Sequence, residues 1–292
     1  MLELFCGIGG CAAALGERAR IVAAVDQNRH ALAVYRHNFT HPVFPLALES
    51  VRESQWQAWT ADVWWMSPPC PPYTRRGLRR DVEDPRARSF AAVLKQIAAH
   101  RPRHVAFENV PGFVGSRAHR LLKQTLDRSG YVFRETLLCP TELGLPNRRE
   151  RFYLVAGLDG LAPWPARAGA ALRLSDLLDS SPATELWCDP LLAHRYPHAL
   201  HVVDPRDPQA CSACFTSAYG RSIVRSGSYL ATGAGLRRFS PSEILRLLDF
   251  PGGYRLPADL PRRRAWSLAG NSVSVRAVRW VLSAIPGLMT HT

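Results

Sequence analysis

A cysteine set among prolines, Ser67-Pro68-Pro69-Cys70-Pro71-Pro72-Tyr73-Thr74, follows directly on the apolar run Val63-Trp64-Trp65-Met66. That run reads as a short buried strand, which the prolines halt while forcing the next residues into extended geometry. Cys70 is thereby held at a strand's end, where open α/β sheets bind their ligands. A thiol there can act as a nucleophile; a small side chain packed into a turn is the other reading of the same residue. A carboxylic acid stands at the end of the next apolar run, where His104-Val105-Ala106-Phe107 leads into Glu108-Asn109-Val110. Reactive groups at successive strand ends can converge on one substrate, against the plainer reading of Glu108 as a solvated loop carboxylate. Further on, Asn147 to Val155 reads as one strand with Arg149, Arg151 and Tyr153 on a single face. Arginines entering an apolar strand need anions or carbonyls to satisfy them. The basic run Arg75-Arg76-Gly77-Leu78-Arg79-Arg80, so close after Cys70, reads as a phosphate clamp.

Groups spaced this way need a sheet to carry them. Residues 1–6 form an apolar strand running into Gly7-Ile8-Gly9-Gly10, with a short Ala-rich helix at 11–15 and a second strand at 21–25 ending in Asp26. Glycines at a strand-to-helix turn let a ligand approach the backbone, and an acidic residue about 20 positions later reaches a ribose. This is a nucleotide-binding βαβ unit, and Gly7-x-Gly9-x-x-Ala12 alone also admits a nicotinamide dehydrogenase. A helix at 30–39 precedes a third strand at 42–48 that ends at Glu49, and the helix after it carries Trp56 and Trp59 as core residues. Beyond the cysteine loop, a helix at 89–100 turns Phe90, Val93, Leu94 and Ile97 to one face, and a helix at 119–126, stopped by Gly130, leads to a strand at 132–138. From 157 to 237 prolines and glycines are dense and periodicity is weak. Order resumes at the capping box Ser240-Pro241-Ser242-Glu243 with a helix through Leu248, and the chain closes with Gly270-Asn271-Ser272-Val273 and a helix at 276–285. One domain is therefore expected over 1–156 and 238–292, and a small irregular one over 157–237.

The chain of 292 residues, 47% hydrophobic, is ample for a core. No apolar stretch approaches the ~20 residues that cross a bilayer, and no charged leader precedes the first strand, so a cytoplasmic protein without membrane contact is expected. The seven cysteines are scattered and read as reduced thiols. Cys211-x-x-Cys214 with the irregularly spaced His194, His198 and His201 is poor evidence for zinc, and no metal is expected. A net charge of +13 suits a polyanionic partner such as nucleic acid. Lys95 and Lys123 are the only lysines, so an arginine-favouring genome is the competing explanation.

Taken in order, the motifs resemble those of the cytosine-C5 methyltransferase family. Phe5-Cys6-Gly7-Ile8-Gly9-Gly10 is similar to its S-adenosylmethionine loop, Pro69-Cys70 to its nucleophile motif, Glu108-Asn109-Val110 to its acid motif, Arg149-x-Arg151 to its arginine motif, and Gly270-Asn271-Ser272-Val273 to its closing motif. Within the family the chain most resembles the branch that methylates a cytosine in the tRNA anticodon loop. The stretches that carry this are Ser67 to Cys70 with Pro72 to Arg75, Asp84-Pro85-Arg86 with Ser89-Phe90, and Cys214-Phe215-Thr216 followed by Tyr219-Gly220. The resemblance implies a Rossmann-like S-adenosylmethionine-dependent α/β sheet with a small, irregular recognition domain. It implies Cys70, Glu108, Arg149 and Arg151 as catalytic residues, and a cofactor held by Phe5, Gly7, Ile8, Gly9, Gly10, Asp26, Glu49, Pro69, Asn271 and Ser272. Substrate contacts fall on Arg75, Arg76, Asn109, Cys214, Phe215, Thr216 and Tyr219, with Cys214 belonging to the recognition region and not to a zinc site. Two positions depart from the pattern: Pro71 stands where the family has glutamine, removing an amide and a backbone donor, and Ser217 where the tRNA branch has lysine, with Arg225 expected to return the lost charge.

The implied chemistry is attack of the Cys70 thiolate on cytosine C6, hydrogen bonding of N3 by Glu108, methylation at C5, and loss of the C5 proton and of Cys70. A target base must leave its stack, which costs least in an unpaired loop, and the span 157–237 is small for a module that reads a major groove. A monomer acting on tRNA is thus expected first, a DNA cytosine-5 methyltransferase second, and a catalytically weak nucleic-acid-binding homologue third. A dehydrogenase explains the glycine loop and Asp26 but not Cys70, Glu108 or the arginines.

Overall fold

A computed structural model of the chain describes residues 1–69, 88–196 and 198–289. Cys70, Arg75 and Arg76 lie outside the described residues, as do Pro71 and the stretch at 84–86. The described chain divides into two compact units, residues 1–138, 150–166 and 278–292 in the first and 139–149 and 167–277 in the second. These boundaries differ from the sequence-derived ones at 156/157 and 237/238.

The first unit is built on a seven-stranded sheet. Its strands are β1 (Leu2–Leu4), β2 (Ala23–Val25), β3 (Val43–Phe44), β4 (Val63–Met66), β5 (His104–Asn109), β6 (Val132–Leu138) and, in chain order after a strand of the second unit, β8 (Arg151–Gly157). They lie in the order β3-β2-β1-β4-β5-β8-β6. β3, β2, β1, β4 and β5 run parallel, and β8 is antiparallel to both its neighbours. Sequence neighbours β1 and β2 lie together while the next crossover lands β4 on the other side of β1, so the strand order reverses between β1 and β4. The expected Rossmann-like α/β sheet is present, and its reversal point is where such sheets bind ligands. The connecting helices are α1 (Gly10–Leu15), α2 (Arg29–Asn38), α3 (Glu53–Ala58), α4 (Arg88–His100) and α5 (Arg117–Arg128).

The parallel strands are mainly apolar because both faces are covered, with Glu3 in β1 and His104, Glu108 and Asn109 in β5 the polar exceptions. Val63 to Met66 is buried along its whole length, and α4 buries Phe90, Val93, Leu94 and Ile97 as its periodicity predicts. Trp56 and Trp59 are core residues, with Trp56 stacked on Trp64 at 5.5 Å between ring centroids. Gly130 takes φ +81 after α5 and so stops it. The third strand is shorter than expected. Pro45 has no N–H to give a ladder, so β3 ends at Phe44, and Glu49 lies in a 3-10 turn over Leu48–Ser50.

The second unit holds β7 (Asn147–Arg148) paired with β10 (Ser212–Ala213), and a three-stranded sheet ordered β12-β11-β9 from β9 (His201–Val203), β11 (Ser228–Thr232) and β12 (Gly235–Arg238). It also holds α6 (Leu192–Arg195), α7 (Pro241–Leu247) and α8 (Arg262–Asn271), and the final helix, α9 (Val275–Leu282), starts in it and ends in the first unit. The capping box at Ser240 forms: Ser240 Oγ accepts from Glu243 N, and Glu243 Oε2 accepts from Ser240 N at 2.6 Å. Fully buried Glu243 also takes both terminal nitrogens of buried Arg237, at 2.9 and 2.8 Å, so neither charge is left uncompensated.

The expected single strand over 147–155 is broken. Asn147 and Arg148 pair with β10, whereas β8 starts at Arg151 and pairs with β5 and β6. Arg149 and Arg151 therefore do not share a strand face; each is drawn to acceptors in a different unit.

Candidate active site

In the first unit the chemistry gathers at the carboxyl ends of β1, β2, β4 and β5. Phe5, directly after β1, takes φ +54, a left-handed conformation that costs an L side chain on the order of 1–2 kcal/mol and that tends to occur where function holds it. Gly7 at φ +54 and Gly9 at φ +86 complete the turn into α1, which begins at Gly10, while Ile8 is buried beneath it. The turn is tied across to β2: Gly7 N donates to Asp26 Oδ2 at 2.9 Å, and Asn28 N donates to Asp26 Oδ1 at 2.8 Å. Asn28 then caps α2, accepting from His30 N and Ala31 N. Burial pushes the Asp26 carboxyl above its usual range, and these N–H donors oppose that rise.

A Cβ on Gly7 would meet nothing within 4 Å, so the outer side of the turn is open, while Gly9 is backed closely by the rings of Phe39 and Tyr35. An open glycine backbone beside a partly exposed carboxylate suits a nucleoside with a ribose diol, as S-adenosylmethionine has. Glu49 is exposed and accepts from Ser89 Oγ at the start of α4.

The root of the cysteine loop is fixed from two sides. Ser67 Oγ donates to Phe5 O at 3.4 Å, linking the end of β4 to the glycine turn. Asn109 Nδ2 donates to Pro68 O at 3.2 Å, linking it to the end of β5, while Asn109 Oδ1 accepts from Val110 N at 2.9 Å. Asn109 is fully buried, so its amide serves the backbone. Pro69, half-buried, continues from this anchor. Glu108 belongs to β5 itself and not to a following loop; its buried carboxyl meets Arg151 Nε at 3.3 Å, and the pair orients it near the carboxyl end of β5. The thiols of Cys6 and Cys11 are buried, which pushes them well above their usual range and leaves them inert packing groups.

In the second unit Arg149 organises the remaining site residues. Its buried guanidinium donates from Nη1 to Phe215 O at 3.0 Å and to Cys214 Sγ at 3.2 Å, and from Nη2 to Ser272 O. It thus joins the Cys214-Phe215-Thr216 stretch to the end of α8. Phe215 and Tyr219 pack edge to face in the core of the unit, and both lone roles of the Tyr219 hydroxyl are taken: it donates to Ser228 O at 2.7 Å and accepts from Phe239 N at 3.0 Å. Thr216 is half-buried and Asn271 is exposed. Cys211 Sγ contacts Ser212 O, and among the described residues no group of three His, Cys, Asp or Glu side chains is placed to hold a metal. Among them, too, no helix is long and apolar enough to cross a membrane.

Residues 1–173 match the model of the C-5 cytosine-specific DNA methylase family. The chain belongs to that family. Over its length it is 30% identical to the tRNA (cytosine(38)-C(5))-methyltransferase of Spodoptera frugiperda, with 98% of each chain covered. It is 28% identical to the enzyme of the same name from Mus musculus, over 98% of this chain and 92% of the relative. Among solved structures it superposes on the Entamoeba histolytica methyltransferase EhMeth with a TM-score of 0.87 and 25% identity, covering 96% of this chain and 95% of that one. The fold is thus that of the cytosine-C5 methyltransferases. Sequence reasoning missed Ser67 and Asn28 as supports of the site; Asp26-x-Asn28 ahead of a helix is a capping signal that could have revealed the latter.

Proposed function

We propose that this family member is an S-adenosylmethionine-dependent methyltransferase that modifies C5 of a cytosine in the anticodon loop of tRNA. The observation that supports the chemistry is the Asn109–Pro68 bond, which ties the chain two residues ahead of Cys70 to the end of β5, the strand that carries Glu108. The tRNA assignment is supported by the relatives named for that activity, which match along nearly the whole chain. The scarcity of lysine against arginine accords with a bacterial, GC-rich gene.

In this reading Phe5, Gly7, Ile8, Gly9 and Gly10 hold the cofactor with Asp26 on its ribose, and Glu49, Pro69, Asn271 and Ser272 complete its surroundings. When bound, S-adenosylmethionine supplies the methyl group that C5 accepts. The Cys70 thiolate adds to C6 and pushes electron density towards C5. Glu108, directed by Arg151, hydrogen-bonds N3 and stabilises the adduct. A base, water in this scheme, takes the C5 proton, the C5–C6 double bond re-forms, and the Cys70 sulfur departs. Arg149 keeps the Cys214-Phe215-Thr216 stretch in place as part of a recognition domain over 157–237, the catalytic domain being 1–156 and 238–292. Arg75 and Arg76 grip the phosphates, and the protein acts as a cytoplasmic monomer.

The test is incubation of purified protein with labelled S-adenosylmethionine and, separately, total tRNA and duplex DNA, with Cys70→Ala alongside. Label in tRNA that vanishes in the variant is expected. Full methyl transfer by Cys70→Ala refutes the covalent route, and label in duplex DNA alone moves the substrate to DNA, as the family's name, C-5 cytosine-specific DNA methylase, allows.

A further inference from the structure

We infer that the exposed arginines Arg221, Arg225, Arg262, Arg263 and Arg264 form a docking surface for the phosphate backbone of a folded RNA. The inference rests on the tRNA reading above and adds where the RNA is gripped.

All five belong to the second unit and are exposed. They are carried by one helix, α8, and by the segment that is laid along it. A Cβ on Gly270, near the end of α8, would lie 2.4 Å from Thr216 O, and one on Gly220 would lie 2.2 Å from the Trp266 ring. The loop thus passes along α8 from its last turn towards its first, and two tight glycine contacts hold it down. Arg221 follows Gly220, which packs on Trp266 about one turn into α8 from Arg262-Arg263-Arg264, the residues that open the helix. Its guanidinium folds back to donate to Ser217 O at 3.2 Å, so a positive charge sits over the loop just past Cys214-Phe215-Thr216. The chain directly after Arg225 is tied to the same stretch: Thr216 N donates to Ser226 O at 2.9 Å, and Gly227 packs against the rings of Phe215 and Tyr219. The Arg221 charge, and not Arg225 alone, thereby stands where Ser217 brings none.

These cations are poorly compensated within the protein. Arg262 meets Glu185 at 3.2 Å in an exposed pair that salt screens, whereas Arg225, Arg263 and Arg264 have no acidic partner among the described residues. Three arginines in the first turn of a helix also face the positive end of its dipole, and no acid accompanies them there. The helix gains nothing from that arrangement. A ligand rich in phosphate does, since the guanidinium fork matches phosphate oxygens in pairs. The surface borders the loop that Arg149 fastens to Ser272, so an RNA backbone held on it is registered against the residues assigned to recognition.

The test is fluorescence anisotropy of a labelled anticodon stem-loop RNA titrated with full-length protein at several salt concentrations. Wild type is compared with the triple variant Arg221→Ala/Arg263→Ala/Arg264→Ala and with Arg128→Ala, an exposed arginine of α5 in the first unit. The triple variant should keep the wild-type melting temperature and bind at least about tenfold more weakly near 0.1 M salt. Its log K against log salt should be shallower by about 2, since each lost phosphate contact removes roughly 0.7–0.9. Arg128→Ala should match wild type. Equal affinity and slope in the triple variant overturn the surface, as does an equal loss in Arg128→Ala; tighter, arginine-dependent binding of duplex DNA overturns the RNA assignment. Methyl transfer to total tRNA, run in parallel, separates the two ideas. Transfer by wild type with unchanged binding in the variant sinks the surface alone, whereas no transfer with arginine-dependent hairpin binding sinks the activity and leaves the surface supported.

Discussion

Replacing Asn109 isolates the bond that roots the cysteine loop. The side chain has no exposure, and both ends of its amide are used, Nδ2 by Pro68 O and Oδ1 by Val110 N. Alanine strands a buried carbonyl, which costs about 1–3 kcal/mol, and a half-buried N–H that water partly satisfies, which costs about 1 kcal/mol; the sum is about 2–4 kcal/mol. Asn109→Asp is the sharper variant. It keeps an acceptor for Val110 N but sets a carboxylate oxygen against Pro68 O, so the donor is lost and repulsion replaces it. The root of the loop then shifts, and a displacement on the order of 1 Å at a reacting group lowers the rate roughly 10²-fold. Chemical denaturation should show the stability loss in Asn109→Ala. Single-turnover methyl transfer to tRNA at saturating S-adenosylmethionine should fall roughly 10²-fold in both variants, with cofactor affinity held within about twofold because the glycine turn is untouched. A rate in Asn109→Asp within about threefold of wild type would refute the idea that this bond positions Cys70.

Two further substitutions test groups beneath the site. Glu3 is fully buried in β1 and accepts from Tyr35 Oη at 2.8 Å; desolvation pushes its carboxyl from 4.5 up to about 8. Because the folded value lies above the unfolded one, the folded state holds the extra proton between them. The Glu3 contribution to stability is therefore full below pH 4.5 and declines as pH rises towards 8, by up to about 1.4 kcal/mol per pH unit. Glu3→Gln removes that titration, so wild type should lose stability relative to the variant across this window in urea denaturation, and parallel curves would sink the assignment. Arg149→Ala should cost about 3 kcal/mol, since it leaves buried carbonyls at Phe215 and Ser272 unpaired; Arg149→Lys, which reaches only one of them, should recover part of that in thermal unfolding.

What could be read in advance was whatever is specified locally. β4 and β6 have the expected bounds because each is an apolar or alternating run with prolines, glycine or a charged turn on either side. The glycine turn and Asp26 declared themselves by spacing, and the Ser240 box by its residues. α8 was missed because Arg262-Arg263-Arg264 opens it without a side-chain cap, and a run of charges hides the apolar face begun by Ala265 and Trp266. β3 was overdrawn because Pro45 was counted into an apolar run whose ladder it ends.

The arginine motif shows why the rest was out of reach. A spacing of two along an extended segment predicts a shared face only if one ladder holds the whole segment. Here β7 meets β10, whose residues come 65 positions later in the chain, while β8 meets β5 and β6, which come before it. Which partner claims each half is decided by those distant strands and not by the alternation itself. Arg149 follows β7 to the carbonyls of Phe215 and Ser272, Arg151 stays with β8 and the carboxyl of Glu108, and Glu150 between them is exposed. The motif thus acts as a branch point: arginines two positions apart meet unrelated needs, one holding the stretch that carries Cys214 and the other pairing with the Glu108 carboxyl. Swapping them for lysine one at a time should therefore give separable defects, in unfolding for Arg149 and in methyl-transfer rate for Arg151, and identical profiles for the two variants would mean that they serve one site through one role.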